Sequence, residues 1–157
     1  MYLSIYAPVT ANVGSNLPIL VWIHGGSYRF GSASDPALDG SYFAQATNSI
    51  VIVIQYRLGV LGYLPPTAFG SNLNLGVQDV IKALKYVNLV AASFGGNKNK
   101  VTIAGQSSGA NMVRNLLAAP SAANYFSRAI LQSDPVVSTA FTYYQKYSHF
   151  SPRTLAS

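Results

Sequence analysis

The chain has no cysteine and no glutamate, and only 9% of its 157 residues are charged. Without cysteine there can be neither a disulfide nor a thiolate metal site within it, although this leaves the compartment open. Without glutamate, every side-chain carboxylate is an aspartate: Asp35, Asp39, Asp79 or Asp134. The formal charge of +6 could suggest a nucleic-acid partner. However, the basic residues are scattered from Arg29 to Arg153 with no dense run, so no nucleic-acid interaction is expected. No apolar run reaches the length of a membrane span, and Met1 to Ile5 shows no basic stretch leading into a long apolar core.

What is present is hydrophobic: half the residues are apolar, enough for one folded domain with a real core. Low charge with long apolar runs suits an α/β protein whose central strands are covered on both faces. Tyr2 to Tyr6 alternates like a strand, and Pro18 to Ile23, Ile50 to Gln55, Val101 to Ala104 and Ala129 to Gln132 read as four buried strands. A short helix is expected from about Gly40 to Ala46. Val77, Val80, Ile81, Leu84, Val87 and Ala91 recur at helical spacing, closed by Phe94-Gly95-Gly96, and Ser108 to about Ala119 makes another helix before Pro120. Glycines and prolines between Tyr56 and Asn74 predict a structured loop. Strands alternating with helices predict a mostly parallel central sheet flanked by helices. Residues 1–135 form one domain in this reading, and 136–157, aromatic but without either period, form a divergent tail.

The chemistry-bearing motif is Gly105-Gln106-Ser107-Ser108-Gly109, set between a β-branched run and a helix. Glycines two residues either side of a serine remove side chains where strand and helix pack closely, so that a strained turn can expose the hydroxyl. Ser107 is therefore the candidate nucleophile. Gly25-Gly26-Ser27 ends the Pro18 strand as a second tight loop. His24 reads as a structural residue at that strand end, Arg57 and Asp79 as an ion pair or loop tether, and Tyr28 and Phe30 as either pocket lining or loop packing.

Several blocks occur in a fixed order: Leu17-Pro18 to His24-Gly25-Gly26, Gln55 to Gly62, Asn74 to Asp79, Phe94 to Gly96, Val101 to Gly109, and Ala129 to Ser133. Together they resemble the type-B carboxylesterase and lipase family of the α/β-hydrolase fold, with the likeness leaning toward fungal members. The resemblance covers about residues 2 to 135 and implies a serine hydrolase acting on small-molecule carboxylic esters, with no metal or organic cofactor. It further implies that Ser107 is the nucleophile, that the backbone N–H groups of Gly26, Ser27 and Ser108 form an oxyanion hole, and that Gly25, Gly105 and Gly109 support the loops. Three positions depart from the usual pattern. Ser27 stands for glycine, Ser108 for alanine and Gln106 for glutamate.

Such enzymes place an acid and then a histidine after the nucleophile. Here Asp134 and His149 fit that order, but the fourteen residues between them are too few for a parallel crossover and a further strand. The sequence thus reads as a partial α/β-hydrolase fold lacking its C-terminal strands, with the acid and histidine outside it and catalysis impaired. A non-catalytic binding or adhesion relative, or a gene remnant, is the alternative. An unpaired edge at the Ala129 strand would favour self-association.

Overall fold

The computed structural model describes residues 2–63 and 74–135. Five strands form a single sheet: β1 (Leu3–Tyr6), β2 (Leu17–Ile23), β3 (Ile50–Ile54), β4 (Gly96–Gln106) and β5 (Arg128–Gln132). Their spatial order is β1-β3-β2-β4-β5, with β1 antiparallel to β3 and every other neighbour parallel. Among the described residues, four α-helices accompany them: α1 (Ser41–Thr47), α2 (Gly59–Tyr63), α3 (Leu75–Val90) and α4 (Ser108–Leu117).

Alternation along the central strands divides two cores. Ile50, Ile52 and Ile54 of β3, with Ile19, Val21 and Ile23 of β2 and Val101 and Ile103 of β4, pack with α3 and α4. Val51 and Val53 point the other way, toward Ala44 of α1 with Trp22 and Tyr6 beside them. This explains why all five residues of β3 are buried, as a strand covered on both faces requires. On α3, Val80, Ala83, Leu84 and Val87 form the buried stripe at helical spacing.

The structure departs from the sequence reading in four places. The β4 strand begins five residues before Val101, because Lys98 and its neighbours extend the strand on an exposed, polar stretch with no apolar signal. The segment from Tyr56 forms one short helix, α2, rather than only loop; residues 64–73 of that segment lie outside the described residues. α4 stops at Leu117, two residues short of Ala119. Most consequentially, β5 is not a buried strand: it lies at the sheet edge among the described residues, with Ile130 46% and Leu131 37% exposed. An apolar run marks the propensity to pair, but whether it is covered depends on neighbours that local sequence does not encode.

Candidate active site

Chain direction locates the site. From β2 the chain crosses to β3 on one side, then returns past β2 to β4, and continues outward to β5 on the other side. The adjacent strands β2 and β4 therefore form a switch point, the place where sheets of this kind carry their ligand sites. Ile23 is in register with Gly105, so the loop starting at His24 and the turn at Ser107 emerge side by side.

Ser107 sits between β4 and α4 at φ 56° and ψ −122°, a backbone conformation rare for a residue with a side chain. Its N–H donates to the Gln132 carbonyl at 2.9 Å, and its carbonyl accepts from Asn111 N–H at 3.0 Å. The strained turn is thus held by β5 on one side and by the first turn of α4 on the other. The flanking glycines allow it. A Cβ on Gly105 would collide with the Gly109 backbone, and one on Gly109 would collide with the Ile23 carbonyl. These close backbone approaches fix the serine's position above the β2–β4 pair.

The second loop lies against the serine. A Cβ on Gly25 would stand 2.7 Å from the Gln106 carbonyl oxygen and 3.3 Å from Ser107 Cβ. Gly26 adopts φ 114°, and its carbonyl accepts the N–H groups of Arg29 at 2.9 Å and Phe30 at 3.0 Å, folding the loop back on itself. Ser27 and Tyr28 follow at φ 54° and 61°. Two consecutive non-glycine residues in the left-handed region cost about 1–2 kcal/mol each, so surrounding contacts must enforce them. Among the described residues, no hydrogen bond occupies the backbone N–H of Gly26, Ser27 or Ser108.

Those enforcing contacts converge on α4. Tyr28 N–H donates to Ser108 Oγ at 3.3 Å, and Tyr28 Oη–H donates to Asn111 Oδ1 at 2.5 Å. Ser108 and Asn111 are three residues apart and so share one helix face. The Tyr28 carbonyl accepts from Gly59 N–H at 2.7 Å, and its ring packs on Tyr63. Tyr28 is therefore a loop-packing residue, while Phe30 is 71% exposed. At the loop's other end, buried Tyr56 donates its hydroxyl to the His24 carbonyl at 2.8 Å and stacks on the His24 ring at 4.7 Å. Burial pushes the Tyr56 phenol far above its ordinary pKa, with a hydrogen bond from the Ser108 hydroxyl opposing that rise. His24 is buried, its Nδ1 within 2.8 Å of the Gly25 carbonyl and its Nε2 without a partner among the described residues, so it anchors the loop and makes no bond to Ser107.

The charged candidates serve as tethers. Asp79 accepts from Arg57 Nε at 2.6 Å, Nη2 at 2.7 Å and the Arg57 backbone N–H at 3.1 Å. Burial alone would raise the Asp79 carboxyl, but the bonds from Arg57 outweigh it and hold it below the ordinary carboxylate range. Asp134 is paired with Arg114 of α4, at 2.8 Å to Nε. It is thereby bound to the helix that begins at the Ser107 turn. His149 lies outside the described residues. Sequence reasoning missed Tyr56, and it missed Asn111. The signal for Asn111 was a polar residue within the apolar face of α4, beside Met112, Val113 and Leu116, where burial demands a partner.

A mostly parallel sheet carrying a serine elbow at its switch point, with a glycine loop beside it, defines the α/β-hydrolase fold. The chain belongs to the carboxylesterase family, whose profile it matches over residues 1–156. It is 45% identical over 133 residues to the cocaine esterase of Homo sapiens, covering 85% of this chain and 23% of that protein. It is 40% identical over 135 residues to the para-nitrobenzyl esterase of Bacillus subtilis (strain 168), covering 85% of this chain and 27% of the relative. The crystal structure of a Geobacillus stearothermophilus carboxylesterase superposes with a TM-score of 0.77 at 41% identity, over 82% of this chain and 28% of that one. The chain thus spans about a quarter of the length of the relatives it matches. Among the described residues no helix is long and apolar enough to cross a membrane.

Proposed function

We propose that this chain carries the nucleophile and oxyanion half of a serine carboxylic-ester hydrolase acting on small-molecule esters. The observation that carries this reading is the strained Ser107 turn packed against a loop whose Gly26 and Ser27 N–H groups make no hydrogen bond among the described residues, with the Ser108 N–H opening α4 beside them. In this reading Ser107 Oγ bonds to the ester carbonyl carbon while a histidine takes its proton. The carbonyl oxygen becomes an oxyanion held by the three N–H groups. Collapse of that intermediate breaks the bond to the alkoxy oxygen, which leaves as the alcohol with the proton, and water then releases the acid from the acyl-serine. The names of the esterase relatives support the ester class, and the alcohol and acyl groups are left unspecified.

The Asp134–Arg114 pair supports a structural rather than catalytic role for that carboxylate, and His24 is committed to its own loop. With neither acting on Ser107, turnover by this chain alone falls below that of a triad-complete relative by about 10⁴- to 10⁶-fold. Residual turnover comes from the oxyanion hole. The test is the hydrolysis of an activated para-nitrophenyl ester by the folded chain and by Ser107→Ala. Slow hydrolysis lost in Ser107→Ala supports the reading. Equal rates for the two proteins contradict it and favour a binding or adhesion role.

A further inference from the structure

We propose that the side-chain hydroxyls of Ser108 and Tyr56 are positioning groups that pin the two ends of the loop from His24 to Tyr28, holding the Gly26 and Ser27 N–H groups against Ser107. This role rests on the hydrolase reading but concerns the side chains of Ser108 and Tyr56, whereas that reading uses only the Ser108 backbone N–H. Ser108 is buried at the start of α4. Its hydroxyl accepts the Tyr28 N–H at 3.3 Å, immediately after Ser27. The other end is held by the Tyr56 hydroxyl, which donates to the His24 carbonyl at 2.8 Å, immediately before Gly25.

The loop needs such a fastening because it is not at rest. Ser27 and Tyr28 both hold left-handed φ values that a free chain of L-residues would leave, and leaving them would swing the adjacent N–H groups away from Ser107. Asn111, one turn along α4, grips the Tyr28 hydroxyl and keeps its amide over Ser108. Because Ser108 directly follows Ser107, the same residue that ends the nucleophile turn also sets the donors' distance from it. A misplacement of about 1 Å at such donors can cost as much as 100-fold in rate.

The experiment compares the folded chain with Ser108→Ala, Tyr56→Phe and the double variant Ser27→Gly/Ser108→Ala. Two readouts are taken: amide hydrogen exchange in the peptide spanning residues 25–30, and phosphonylation of Ser107 by a fluorophosphonate, resolved into its maximal rate constant and its half-saturating concentration. In Ser108→Ala the loop amides should exchange about tenfold faster, and the maximal rate constant should fall about tenfold with the half-saturating concentration unchanged. Tyr56→Phe should show a smaller effect of the same kind, and it serves in place of Ser108→Ala if that variant does not fold. Ser27→Gly should restore most of the loss, since glycine adopts the left-handed conformation without penalty. Unchanged loop exchange in both Ser108→Ala and Tyr56→Phe overturns the proposal, as does a loss that Ser27→Gly deepens. If Ser107 in the unmodified chain does not react, the hydrolase reading fails, and the exchange measurement still decides the fastening role.

Discussion

At the scale of single residues, the site depends on atoms that are missing as much as on those present. Gly109 packs its Cα where any side chain would strike the Ile23 carbonyl, so Gly109→Ala should destabilise the fold by about 3 kcal/mol and displace Ser107. Urea unfolding of the variant checks this, and a change under about 0.5 kcal/mol would show that the close approach relaxes without cost. Asp79 gives a pH-dependent prediction. Its folded pKa lies below its unfolded value near 4, so the unfolded state binds the proton more readily. The Arg57 pair therefore contributes fully above about pH 4, and that contribution is lost as pH falls through the folded value. Asp79→Asn should lower stability at pH 7 and flatten the acid limb of the stability profile; an unaltered limb would place the titration elsewhere. The sequence showed Ser107 and its glycines clearly because their requirement is local. It showed Arg57 and Asp79 only as a pair worth suspecting, since their contact spans 22 positions and rests on the approach of α3 to the end of β3.

At the scale of elements, alternation and helical spacing predicted most strands and helices because burial on a sheet or helix face imposes a period that the sequence must carry. The stripe Val80, Ala83, Leu84 and Val87 is such a case. Where burial was absent the reading lost its signal, which is why the polar first half of β4 was left out of the strand begun at Val101. The opposite error occurred at β5, whose apolar composition suggested coverage that its edge position does not provide. The fastening proposed for the loop from His24 to Tyr28 was the least legible part, because it joins Tyr28, Tyr56, Ser108 and Asn111 across three segments with no common spacing. For the core itself, Leu116 of α4 is fully buried among strand and helix side chains. Leu116→Ala should cost about 2–5 kcal/mol, read as a lowered denaturation midpoint, whereas an unchanged midpoint would show that α4 is not docked as described.

At the scale of the whole molecule, the carboxylesterase family supplies the frame and the β2–β4 switch point supplies the place where chemistry can occur. Among the described residues β5 is a sheet edge with Ile130 and Leu131 exposed, so the chain in isolation should associate with itself in a concentration-dependent way. Sedimentation velocity checks this, and a monomer at every concentration would count against an adhesive edge. The central claim, however, is the proposal that this fold presents one serine, Ser107, set apart by its strained turn beside the glycine loop. The most direct test is peptide mapping by mass spectrometry after exposure of the folded chain to a fluorophosphonate. The account predicts a single adduct at Ser107 that disappears in Ser107→Ala. A folded chain that gains no adduct, or gains adducts spread over other serines at similar rates, would contradict it.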